Sequence, residues 1–115
     1  MLMRCLMLLA TLACCPSTAS AESPKCDDPG NWATMSAFAQ LKNSALTTST
    51  RIVWDKVSVS LLASEQVGPD LYRQVHHIVY PQKDGGKIEI ITRNNASSQE
   101  CSMSSVEVYV ISMKL

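Results

Sequence analysis

Apolar and polar positions sort the chain into one helical stretch followed by four extended ones. Between Trp32 and Leu46, the residues Trp32, Met35, Phe38, Ala39, Leu41 and Ala45-Leu46 recur near helical spacing, and Ala33, Ala37 and Gln40 favour helix. Asn31 precedes the stretch, where its side chain can accept from an unpaired amide of the first turn. Thr47-Thr48-Ser49-Thr50 ends it, because β-branched and hydroxylated residues favour extended or turn backbone. Arg51–Ala63 then carries Val53, Val57, Val59 and Leu61 at a period of two, with Ile52 and Trp54 opposite. Leu71–Tyr80 places Leu71, Arg73, Val75, His77 and Val79 on one face and Tyr72, Gln74, His76, Ile78 and Tyr80 on the other. Lys87–Arg93 and Val106–Met113 alternate in the same way.

The segments between these strands read as turns and loops. Ser64–Asp70 is punctuated by Gly68-Pro69, and Asp84-Gly85-Gly86 is a hairpin signal that lets the backbone reach positive φ cheaply. Asn94–Ser102 reads as a polar loop, and its Asn95-Ala96-Ser97 matches a glycosylation acceptor. Connections this short join antiparallel neighbours, since a parallel return needs a dozen residues or more. The expected fold is α+β: one N-terminal helix packed on a four-stranded antiparallel sheet, a two-layer sandwich with one disulfide.

The chain start changes the picture. Met1–Arg4 is short and basic, Cys5–Cys15 is an apolar run of 11 residues, and Ala19-Ser20-Ala21 has the small-x-small form of a cleavage site. The run is too short for a bilayer span, which takes roughly 20 residues. The expectation is a signal peptide over 1–21, cleaved after Ala21, and a single domain over 22–115 without a transmembrane segment. A lipoprotein anchored at Cys14 or Cys15 is the alternative. Of five cysteines, Cys5, Cys14 and Cys15 leave with the leader, so Cys26 and Cys101 remain to form one bridge in an oxidising compartment such as a periplasm. Ten basic side chains less Arg4 leave nine against ten acidic ones, a balance that argues against nucleic-acid binding.

Chemistry is sparse. His76 and His77 are adjacent in a strand and point to opposite faces, so they cannot easily serve one metal or one substrate. Three or four converging metal ligands are not spaced along the chain, and no metal or cofactor is expected. The serines lie outside G-x-S-x-G and S-x-x-K frames, and Asp84-Gly85-Gly86-Lys87 lacks the frame of a phosphate loop. Trp54, Tyr72, Tyr80 and Tyr109 are read as strand residues that one short helix does not fully cover, which makes them candidates for a binding surface. The leading expectation is an exported, non-enzymatic binding protein acting through a protein–protein surface, such as an enzyme inhibitor or an envelope accessory factor. A small-molecule or glycan binder with a concavity between helix and sheet is the second expectation. A small hydrolase using His76 or His77 is the third. Partner identity and oligomeric state are not encoded in any pattern the chain displays.

Overall fold

The computed structural model describes residues 23–113, so the proposed leader and both of its processing sites lie outside the described residues. One helix, α1 (Trp32–Asn43), precedes four strands, β1 (Ser58–Gly68), β2 (Leu71–Pro81), β3 (Lys87–Ala96) and β4 (Glu107–Met113). The strands form one antiparallel meander in the order β1-β2-β3-β4, with α1 across one face and a Cys26–Cys101 disulfide. This is the expected two-layer α+β architecture.

Asn31 caps α1 as its position suggested. Its Oδ1 accepts from the Thr34 amide at 2.8 Å, while its Nδ2 donates to the carbonyls of Cys26 and Asp28. One asparagine thus starts the helix and turns the preceding arm. The helix stops at Asn43, three residues short of the expected Leu46. Ala45 takes a left-handed φ of 59°, the Leu46 amide donates to the Leu41 carbonyl, and the Ala45 amide donates to Lys42. That pair of reversed hydrogen bonds satisfies the last carbonyls and turns the chain away.

The buried stripe of α1 is Ala33, Thr34, Ala37, Phe38 and Leu41, so of the large residues expected from spacing it keeps Phe38 and Leu41 but not Trp32 or Met35. Trp32 and Met35 face outward. Small residues win the inner face because they let the helix axis approach the sheet, where Phe38 and Leu41 meet Ile78, Tyr80, Ile88 and Ile90. Phe38 and Trp54 pack edge to face at 4.7 Å between centroids, and Tyr80 closes the cluster at 6.0 Å from Phe38.

Arg51–Val57 is not the start of a strand. Two single-turn 3₁₀ segments, Ser49–Arg51 and Trp54–Lys56, flank an isolated bridge between Ile52 and Gln82. The segment is pinned to the end of β2 by Val53 N–H to Pro81 C=O and Lys83 N–H to Arg51 C=O, both 2.8 Å. The first strand is therefore later and runs through the expected Ser64–Asp70 loop as far as Gly68, with bulges at Leu61/Ala63 and Gln66/Gly68. Only Pro69 and Asp70 turn the chain, Asp70 with a positive φ of 46°. β3 also outlasts its expected end, taking Asn94, Asn95 and Ala96 from the anticipated loop into the ladder with β2.

Candidate functional site

The sequence-derived candidates separate in space. Tyr80 is fully buried, its hydroxyl donating to the Thr34 carbonyl at 3.1 Å, and burial pushes its pKa well above the ordinary value. Tyr72 is buried as well. Trp54 lies in a 3₁₀ turn instead of a strand, half-buried against Phe38, with its indole N–H on the Ser49 carbonyl at 2.9 Å. Three of the four aromatic candidates thus belong to the helix side of the sheet. Tyr109 alone is exposed, at 53 %. Phe38, Trp54 and Tyr80 occupy the interlayer space where a glycan pocket was expected.

The histidines part as strand geometry requires. His77 lies on the open face of the sheet, 3.6 Å from Glu89, which also holds Lys87 at 3.4 Å. His76 is buried on the helix face. His77 thus has a carboxylate near its Nε2, and no hydrogen bond joins either imidazole to a serine or threonine hydroxyl among the described residues. No group of three or more metal-binding side chains converges among the described residues.

His76 belongs to a buried polar row with Gln74, Thr92 and Asn94, in which Gln74 pairs with Asn94 and His76 with Thr92 across the ladder. The amides fasten the covering segments: Gln74 Nε2 donates to Pro24 C=O and Ser23 Oγ at 2.9 Å, and Asn94 Nδ2 donates to Cys101 C=O at 2.6 Å. The row is therefore a polar floor beneath the disulfide-tied arm. Burial holds the His76 pKa below its ordinary value, only partly opposed by the charge of Asp27. The folded state binds a proton at His76 less readily than the unfolded chain does. Stability is thus held above the unfolded value near 6.5 and is lost as pH falls through the folded value. Urea midpoints measured from pH 8 to pH 5 are expected to decline across that window, and His76→Gln is expected to flatten the decline. An unchanged slope in the variant would assign it to other groups.

The other sheet face has no helix. Val75, Val79 and Ile91 are half-buried there, beside Tyr109. Both outer strands have one unpaired edge among the described residues, and the edges differ in chemistry. β1 exposes Leu61, Leu62 and Val67 but also carries Glu65 and two bulges, devices that discourage further pairing. Along β4, Val108-Tyr109-Val110-Ile111 is uncharged and contains no proline, and Tyr109, Val110 and Ile111 are exposed. Alternation flagged Tyr109 but not Val110 and Ile111, which lie at the register shift between β3 and β4 and are exposed. Trp32, exposed at 72 %, was likewise read as core from its spacing.

At the start of β4 the open face hollows into a polar concavity of about 350 Å³, lined by Arg73, Arg93, Asn95, Ser104, Ser105 and Glu107. Arg93 donates from Nε and Nη2 to the two Glu107 oxygens at 3.0 and 3.1 Å, and the Tyr109 hydroxyl donates to Glu107 Oε2 at 2.9 Å. These bonds, the one from Arg93 first, hold the Glu107 carboxyl below its usual range, and the bond to Glu107 raises Tyr109. The Ser104 wall is set by its Oγ accepting from the Asn95 amide at 2.9 Å and by Met103 N–H on the Asn95 carbonyl at 2.7 Å. At the far end of the same loop, Ser98 donates twice to Asp70, lowering that carboxyl. Composition gave no signal for this hollow, because its residues come from β2, β3, β4 and the loop between the last two.

No helix among the described residues is long and apolar enough to cross a membrane. Compared with protein-family models, with curated proteins and with solved structures, the chain finds no match in any of the three.

Proposed function

We propose that this domain is a non-enzymatic binding protein acting outside the cytoplasm through a protein–protein surface, with the free edge of β4 accepting an extended strand of its partner. The observation that carries this reading is the contrast between the two sheet edges. Unpaired backbone N–H and C=O groups along an edge are a template for another strand, and exposed edges are ordinarily blunted by charge, proline or bulges. β1 carries Glu65 and two bulges, with Leu61 and Leu62 exposed at the first, whereas β4 carries no charge between Val108 and Ser112, has a single bulge, at Ile111, and presents Tyr109, Val110 and Ile111 in sequence, with Ile111 exposed at 55 %. Strand addition supplies affinity from main-chain hydrogen bonds and specificity from the alternating side chains. The open face beside it, with Ile91 opposite Tyr109, extends the apolar contact area. The Cys26–Cys101 bridge supports an oxidising compartment, where such bonds persist.

Recovery from the native source under mild cross-linking is the test. The wild-type chain is expected in a discrete stoichiometric complex, and Tyr109→Lys or Ile111→Lys is expected to weaken that complex by about tenfold or more. Recovery of monomer alone would count against the reading. Equal retention of the partner by both lysine variants would remove the assignment to β4.

A further inference from the structure

We infer that the concavity at the start of β4 is a carboxylate-binding site whose principal donor is the Arg73 guanidinium. Arg73 projects from β2 onto the open face, opposite Asn95 and diagonal to Arg93 in the ladder, and makes no ion pair within 4 Å among the described residues. Its cross-strand neighbour Glu65 does not engage it. The fork of Arg73 therefore faces a hollow of about 350 Å³ with all its donors unspent. Arg93 contributes differently. Glu107 takes its Nε and Nη2, which fixes the guanidinium and leaves Nη1 for a ligand. The Ser105 hydroxyl, also in the lining, makes no side-chain hydrogen bond among the described residues.

Charge selects the ligand class. Two arginines against Glu107 give the lining a net charge of plus one, and Glu65 nearby lowers the field further. A singly charged anion gains from this balance, while a dianion meets Glu107 and Glu65 at short range. A planar, two-oxygen acceptor also matches the guanidinium fork, which binds carboxylates through two parallel N–H···O bonds. The rest of the lining is held before any ligand arrives, by the Cys101 bridge, the Ser104–Asn95 bond and the Arg93–Glu107–Tyr109 chain, so the ordering that opposes binding is chiefly that of the exposed Arg73 side chain. The polar lining separates this site from an apolar pocket, and although it borrows Glu107 and the Tyr109 hydroxyl from β4, its principal donor lies on β2 and does not depend on strand addition.

Nitrogen-15 NMR of the disulfide-bonded protein reads the site directly through the Arg Nε–Hε resonances. Acetate and an N-acetyl, C-amidated glutamate are the probes, with the corresponding glutamine derivative and inorganic phosphate as controls. Saturable shifts of Arg73 and of the Ser104-Ser105 amides are expected with the two carboxylates. Tighter binding of acetate would point to a small free acid as the natural source, and tighter binding of the glutamate derivative to an acidic side chain. Arg73→Gln is expected to weaken either by about tenfold or more, and Arg73→Lys by less, because lysine keeps the charge but loses the fork. A wild-type-like spectrum elsewhere in both variants shows that the fold is retained. The inference is overturned if Arg73 does not shift, if Arg73→Gln binds as well as wild type, or if phosphate and the glutamine derivative give the same response.

Discussion

Replacing Cys26 and Cys101 by serine is expected to lower the unfolding free energy by about 4 kcal/mol and the melting temperature by roughly 15–30 °C. The bridge spans a sequence separation of 75 residues, for which loop-closure entropy of the unfolded chain gives about 4–5 kcal/mol. Its surroundings add to the effect. Cys26 is buried, its carbonyl accepts from the helix-capping Asn31, and the Cys101 carbonyl accepts from buried Asn94. Freed from the bridge, the arm over Gln74, His76 and Asn94 is held only by hydrogen bonds, each of net worth about 1 kcal/mol. Chemical denaturation of the oxidised protein and of the double variant measures the total. Hydrogen exchange then separates two routes: early exchange confined to the arm and the Ser97–Ser105 loop indicates local release, and uniform acceleration indicates global loss. A change below about 1 kcal/mol would mean that the unfolded chain is already compact enough for the bridge to add little.

Phe38→Ala is expected to cost about 3–5 kcal/mol, the range for truncating a buried aromatic ring. Phe38 is the one large residue of α1 that reaches both Trp54 and Tyr80, so its ring joins the helix, the 3₁₀ segment and β2. Neighbours cannot collapse readily into the space, because Tyr80 is held by its bond to Thr34 and Trp54 by its bond to Ser49. The two tryptophans give a local readout. Trp54 should lose near-ultraviolet ellipticity when its edge-to-face partner goes, while Trp32, already exposed on the outer side of α1, should keep its red-shifted emission. A cost under 1 kcal/mol would show that the aromatic cluster is not what fastens the helix to the sheet.

Where the sequence misled, the cause is specific. Arg51–Val57 alternates like a strand, yet Ile52 and Trp54 are used as anchors in two tight turns that bind the end of β2. Ser64–Gly68 resembles a loop because an outer strand exposed on both faces needs no apolar alternation; its pairing is supplied by Tyr72–Gln74 across the ladder. Tyr72 and Tyr80 resembled surface candidates because parity says which residues share a face but not which face the helix will cover. The polar row shows the same ambiguity in reverse. Gln74, His76 and Asn94 are buried by an arm whose position depends on a disulfide 75 residues long in sequence separation. The Arg73 hollow was illegible for a further reason, since it is assembled from three separated stretches, at Arg73, Arg93–Asn95 and Ser104–Glu107.

Local rules sufficed for the Asn31 cap, the Gly85 turn with its φ of 90°, the opposition of His76 to His77, the order of one helix and four antiparallel strands, and the cysteine pairing. Each depends on residues close in the chain, on a period of two or 3.6, or on there being a single way to join two thiols. Tertiary packing decided which face of β2 is interior, where β1 begins, which apolar side chains stay exposed at the sheet edges and that Arg93, not Arg73, takes the bidentate bonds of Glu107. Those outcomes depend on the path of α1 and of the arm across the sheet, and that path is set by the sum of long-range contacts instead of by any one segment.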